Sequence, residues 1–352
     1  MNSKENNIRL IFCILMGVLV LLYRLDPSLA KTDRTSDYIP EGSVITFLFK
    51  ANKNDPGVGA LTGRALEKLS DGRISRQAGQ NILSLISGES LIVAFPSDAG
   101  QGADKLEYGI VTGYVRENFD FTLSLRGNPV RMKAKMIPDL ENKVLGPLIE
   151  QMILKDQGNP KESSKGDKSF NREVFQGYPI VSLAKREGVE RGITAYSFAD
   201  GKLLLGSTAD TVKKLLRSKE VSHSYPFYES FIKGKNDGLL LADNNQGRLT
   251  KLIQNDKNLA EFGTILSLGQ VHKAALSFDL VDENSLTGVL DIFPEDPGRL
   301  GFLEKEIQLL GVFLKGRLFL EGLSWSNEVQ KQEGNVRMEF KIGNLKKYFE
   351  ED

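Results

Sequence analysis

Val130-Arg-Met-Lys-Ala-Lys135 and Val336-Arg-Met-Glu-Phe-Lys341 agree at four of six positions, and both alternate apolar with polar side chains. Side chains on a strand point to opposite faces in turn, so 130–136, like 119–125, reads as a half-buried antiparallel strand, and 336–341 repeats its pattern. A second pair, Ile82-Leu-Ser-Leu85 and Ile265-Leu-Ser-Leu268, lies upstream in the same order. Each member sits in a helical stretch and is followed by an apolar strand ending in Phe, at Phe95 and Phe278. The second copy needs a longer stretch between its two matches, which the helical segment 299–314 mostly supplies. The chain therefore reads as a duplication. Two copies are too few to stack as a solenoid, so the expected class is α+β, with two related lobes of antiparallel sheet and packed helices.

Working outward, the first lobe spans 38–154. It opens with Tyr38-Ile-Pro-Glu-Gly-Ser43 and a strand over 44–49, followed by helices over 59–70 and 74–87 with apolar residues at near-helical spacing. Strands at 91–95, 106–115, 119–125 and 130–136 come next, then a helix from Pro138. Residues 155–172 offer almost nothing to bury and read as a flexible linker. A central unit, 173–236, holds strands at 174–183 and 193–198, an Asp200-Gly201 turn, the run Leu203-Leu-Leu205, and a helix capped by Ser207 or Thr208. The second lobe, 237–352, has a strand at 238–242, helices over 247–254 and 259–268, and paired strands at 274–281 and 286–293. In this expectation the two lobes flank the central β-hairpin-helix unit.

Lys4 and Arg9 precede an apolar run over 10–23, which is followed by Arg24-Leu-Asp-Pro-Ser-Leu-Ala30. That order of basic, apolar and short polar regions reads as a signal peptide, and residues 31–37 as a polar tether. The run would be about 21 Å long as a helix, short of the roughly 20 residues that cross a bilayer. Cleavage after Ala30 is the leading expectation, a retained N-terminal anchor the second, and a buried helix of a cytosolic protein the third. The first two place the rest of the chain outside the cytoplasm, periplasmic or secreted, or anchored to the inner membrane through 10–23. The only Cys is Cys13, inside that run, so residues 31–352 can form no disulfide among themselves.

Composition narrows the classes. The 352 residues carry 46 Lys plus Arg against 46 Asp plus Glu and are 40% hydrophobic. That balance excludes wholesale disorder, a collagen-like repeat and a disulfide scaffold. Net neutrality removes the basic footprint of a nucleic-acid binder.

The candidate chemistry is thin. Gly57, Gly59 and Gly63 lie between a strand and a helix, where a phosphate loop belongs, but the spacing matches neither the dinucleotide nor the P-loop pattern, and a turn is the better reading. Ser230-Phe-Ile-Lys233 puts a hydroxyl one helical turn from a lysine able to take its proton, as in penicillin-recognising enzymes. Its companion Ser-Asp-Asn is only approximated by Ala242-Asp-Asn244, and no Lys-Thr-Gly follows, so an amphipathic helix is favoured. His223 and His272 are the only histidines; neither has a nucleophile elbow or a zinc spacing beside it, and both read as structural. Asp243-Asn-Asn-Gln-Gly247 lacks the fifth- and twelfth-position ligands of a calcium loop and reads as a turn. Phe47, Phe49, Phe95, Phe119 and Phe121 occupy alternate strand positions. Most read as core, and a surplus on one open sheet face would form an apolar groove.

Tyr38-Ile-Pro ahead of a strand, then Gly177-Tyr-Pro-Ile180 and Asp200-Gly-Lys-Leu-Leu-Leu205-Gly-Ser207 running into the helix through Val212 and Leu216, resembles a widespread group of exported bacterial proteins known as a domain of unknown function. The resemblance covers most of 38–300. It implies export and a duplicated α+β region, and it carries no catalytic or ligand positions. The expected function is a non-enzymatic envelope protein that binds a protein, peptide or lipid partner, with no cofactor and no metal. The alternative is an extracytoplasmic serine hydrolase using Ser230 and Lys233; an amphiphile carrier is a third possibility, marked by an apolar cavity between sheet and helices.

Overall fold

A computed structural model describes residues 35–50, 86–96, 106–114, 117–125, 128–136, 139–156, 170–184, 193–219, 236–244, 247, 250, 271–282 and 284–350. The strands are β1 (Ile45–Lys50), β2 (Ile86–Pro96), β3 (Leu106–Tyr114), β4 (Glu117–Leu125), β5 (Asn128–Met136), β6 (Phe170–Phe175) and β7 (Tyr178–Leu183). They continue with β8 (Ala195–Ala199), β9 (Lys202–Gly206), β10 (Gly238–Asp243), β11 (Val271–Asp282), β12 (Ser285–Pro294), β13 (Ser324–Lys331) and β14 (Val336–Gly343). The helices are α1 (Gly146–Asp156), α2 (Ala209–Ser218), α3 (Leu300–Leu320) and α4 (Leu345–Glu350). The helices expected at 59–70 and 259–268, most of those at 74–87 and 247–254, and the segment 1–30 lie outside the described residues.

The chain divides into two compact units. One, here the α2 unit, holds β2–β9, α1 and α2. The other, the α3 unit, holds β1, β10–β14, α3 and α4.

In the α2 unit the strand order is β2-β3-β9-β8-β7-β6, with β4 and β5 forming a ladder of their own, all antiparallel. The expected hairpin-helix is there. Asp200 and Gly201, at φ 49° and 76°, make the tight turn between β8 and β9, the paired positive values that let two strands turn with their natural twist. Thr208 caps α2 by accepting from the Thr211 N–H at 3.0 Å. A second tight turn, Gln176-Gly177, splits the strand expected at 174–183 into β6 and β7.

Helices cover both faces of this sheet, which explains why Leu203-Leu-Leu205 is continuously apolar. Val212, Leu215 and Leu216 of α2 are buried, and a Cβ on Gly109 of β3 would come within 2.9 Å of Leu215, so α2 lies directly on that strand. On the opposite face Leu145, Ile149 and Ile153 pack with Tyr114, Val181 and Tyr196, with Leu203 and Leu205 against them. The Tyr196 hydroxyl donates to Glu150 at 2.9 Å; burial, with the carboxylate beside it, pushes its pKa well above the ordinary phenol value.

Asp200 also ties the turn to α2, accepting from the Tyr178 hydroxyl at 2.7 Å and from Lys219. Burial alone would raise its carboxyl pKa, but the hydrogen bonds from Lys219 and Tyr178, with the lysine charge, outweigh it and hold the group below its ordinary value. A carboxyl depressed in the folded state adds stability above its unfolded pKa of about 3.9 and loses it as pH falls through the folded value. Below about pH 4 the Tm of the protein is therefore expected to fall more steeply than that of Asp200→Asn. Parallel acid limbs in a pH series of thermal melts would refute the contribution.

In the α3 unit the order is β13-β14-β12-β11-β10-β1, again antiparallel. One cross-strand row reads Gly238–Phe278–Gly288–Phe340. Each phenylalanine lies over its glycine neighbour: a Cβ on Gly238 would sit 2.0 Å from the Phe278 ring, and one on Gly288 would sit 2.4 Å from the Phe340 ring. Aromatic rings covering glycines in this way restore the apolar surface that the glycines lack. β14 alternates as expected, with Val336, Met338 and Ile342 buried and Arg337, Glu339 and Lys341 on the other face.

The described chain is thus dominated by antiparallel sheet, which corrects the expected α+β balance of lobes with packed helices flanking a central unit. Two physical causes stand out. β2 starts at Ile86, inside the segment read as helix over 74–87, and a register shift between Ser87 and Ser90 breaks the period-two pattern that would have revealed a strand. β9 pairs with β3, so the hairpin-helix extends the sheet of the first lobe's strands instead of standing between two lobes.

Candidate functional site

α3 is built to hold its place. Pro297 opens a 3-10 turn, and the Asp296 carboxylate accepts from the Gly298 N–H at 2.8 Å. At the far end Gly322, at φ 78°, allows the Leu323 N–H to return to the Leu318 carbonyl. Between these stops Leu303, Ile307, Leu310 and Leu318 are buried, the first three packing on Ile292, Val336 and Met338 of the sheet. Gly311 lets the helix approach β13, since a Cβ there would lie 2.6 Å from the Asn327 amide nitrogen. That amide group accepts from the Trp325 indole at 2.9 Å, and Trp325 stacks on Phe340.

The opposite side of the same helix is apolar as well. Phe302, Leu309, Phe313 and Leu320 follow one another at intervals of seven, four and seven residues, which keeps them on one line along a helix. Val312 and Phe319, seven residues apart, run beside them. These six side chains are 54%, 65%, 44%, 78%, 69% and 77% exposed in the order named. Together they present roughly 700 Å² of apolar surface, above the roughly 300–600 Å² of the largest patch on a typical monomer. Glu306, Lys315 and Arg317 border the stripe, and Lys305 lies within it, next to Phe302, Leu309 and Val312 on the helix surface.

The sheet face away from α3 is polar. A cleft of about 450 Å³ lies over it, lined among others by Ser277, Asp279, Thr287, Glu339 and Lys341. Arg337 donates to both carboxylate oxygens of Asp291, at 2.9 and 3.0 Å, and Asn335 donates to the same group at 2.6 Å. The hydrogen bonds and charge of Asp291 hold the guanidinium above its ordinary pKa. This is a fixed ion pair on an open face.

Ser230, Lys233, His223, Gly57, Gly59 and Gly63 lie outside the described residues. His272 is an exposed residue of β11. Asn244 is buried and donates to the Val271 carbonyl at 2.8 Å and to the Thr250 hydroxyl at 2.9 Å, so its amide ties the turn after β10 together. Phe47, Phe49 and Phe95 are buried, with Phe47 stacked on Phe49 and Phe278, and they form core instead of an open groove. Phe119 and Phe121 fall in β4. Among the described residues no group of three or more His, Cys, Asp or Glu is placed to hold a metal, and no helix is long and apolar enough to cross a membrane.

No family model, no curated protein and no solved structure matches the chain. The α3 face therefore has to be read from its own chemistry. The sequence reading passed over it because it treated 299–314 as the filler of a duplication. The signal was present all the same: two apolar lines, one through Leu303, Ile307 and Leu310 and one through Phe302, Leu309 and Phe313, run along a single helix.

Proposed function

We propose that the protein is exported and acts without chemistry of its own, as an envelope protein that docks a protein, peptide or lipid partner on the outward face of α3. Kinship with the exported group of unknown function, and a duplicated origin of the two lobes, belong to the same proposal. Each lobe carries a hairpin, β2–β3 or β11–β12, followed by a second, β4–β5 or β13–β14, with α3 inserted between the two in the second lobe.

The observation that supports the docking reading is the apolar stripe. Large apolar side chains left in water cost roughly 25 cal/mol for each Å² that a partner would cover, and a contiguous stripe of this size is the usual mark of an interaction surface. Native mass spectrometry of the protein released gently from the envelope tests it. The chain is expected to carry a bound species and Leu309→Glu to shed it, with both proteins melting at the same temperature once freed of it. An adduct that persists in Leu309→Glu, or the absence of any adduct in either protein, would overturn the reading.

A further inference from the structure

We infer that the occupant of the α3 face is a second copy of this chain, packed helix against helix in antiparallel fashion about a two-fold axis near Gly311. This rests on the docking reading and names its partner.

The first argument is area. A standard specific interface buries about 800 Å² on each partner, and an isologous contact uses the same patch twice. The stripe supplies roughly 700 Å² per copy, close to that requirement. The second argument is pattern. About Gly311 the stripe is nearly its own mirror in sequence: Phe302 and Leu320 lie nine residues to either side, and Leu309 and Phe313 two to either side. An antiparallel pair therefore sets Phe302 of one copy against Leu320 of the other and Leu309 against Phe313. It also brings Gly316, where a Cβ would meet nothing within 4 Å, beside Lys305 of the other copy, so a small residue faces a large one. The third argument is electrostatic. The same register places Arg317 of one copy level with Lys305 of the other and one residue from its Glu306, so the flanking charges largely offset, while antiparallel helix dipoles attract. A parallel pair would stack Phe302, Leu309 and Phe313 on themselves and leave a gap at Gly316.

Cysteine cross-linking in the intact envelope tests both the partner and the direction, because Cys13 is the only native cysteine and Cys13→Ser gives a clean background. Residues 302 and 320 are roughly 27 Å apart along one helix, so they cannot bridge within a chain. The double variant Phe302→Cys, Leu320→Cys is expected to oxidise to a covalent dimer, and each single variant to stay a monomer. Sedimentation of the full chain is expected to show a dimer whose dissociation constant rises at least tenfold with Leu309→Glu, with the melting temperature of the dilute monomer unchanged. Cross-linking by either single variant, or a dimer indifferent to Leu309→Glu, would overturn the inference. A monomer that floats with vesicles of anionic phospholipid, and stops doing so as Leu309→Glu, would overturn the second copy yet uphold docking on α3. A monomer that binds no such vesicle and carries no adduct would overturn both.

Discussion

In the chain diluted to monomers, Ile307→Ala is expected to cost about 3 kcal/mol of stability, whereas Leu309→Ala, two residues along the same helix, is expected to change it by less than about 0.5 kcal/mol. Both side chains are branched and apolar and both sit in mid-helix, so helix propensity favours the alanine in each case and cannot produce the contrast. What differs is the side they face. Ile307 is completely buried among Leu303, Leu310, Val336 and Met338, and truncating it removes buried methyl groups and leaves a cavity that rigid strands cannot close. Leu309 is 65% exposed, and its truncation gives back apolar surface that water already touched. Urea unfolding of the two variants decides the matter. Equal losses would mean that α3 is buried on both sides and would remove the basis of the proposed docking face.

Gly238→Ala is expected to destabilise by about 3 kcal/mol, an unusual penalty for a change that normally favours folding by reducing the freedom of the unfolded chain. The reason is the Phe278 ring. It lies flat over Gly238 from the neighbouring strand, and the added methyl would overlap it. Phe278 cannot swing away easily, since it is buried and stacked near Phe47, with ring centres 6.3 Å apart. Phe278→Leu alone is also expected to cost about 2 kcal/mol through lost packing. Joined to Gly238→Ala it makes room for the methyl group, so the double variant is expected to fall short of the sum of the two losses by about 1 kcal/mol or more. Strict additivity in the four-member cycle would show that the ring and the glycine do not interact. The same device recurs at Gly288 and Phe340, two strands further along the row.

Much of the local structure was legible because it is encoded within a few neighbouring residues. Asp200-Gly201 between apolar runs specifies a tight hairpin, and Thr208 ahead of an amphipathic stretch specifies a helix start. The alternation through β14 and β12 specifies strands with one wet face. None of these depends on which other part of the chain lies nearby. The polar face carrying Asp291 and Arg337 could be read from alternation too, although the bidentate pairing of those two residues, 46 positions apart, could not.

The same limit explains what the sequence misread. β9 could pair with any exposed strand edge, and only assembly of the sheet selects β3. The start of β2 is hidden by a register shift that a one-dimensional pattern cannot express. The Gly–Phe row joins residues from four strands, so the glycines look like weak points in their strands until their partners are placed over them.

By itself, then, the sequence determined where the chain turns, where α2 begins, which strands have a dry side, and that the molecule is a folded protein of balanced charge. The tertiary structure alone decided the pairing order and the fate of the two apolar lines on α3. A helix with apolar residues on both sides has no internal preference for burying either one. The sheet breaks the tie, because Gly311 lets the helix approach β13 on the side of Ile307, and that choice leaves Phe302, Leu309, Phe313 and Leu320 facing outward.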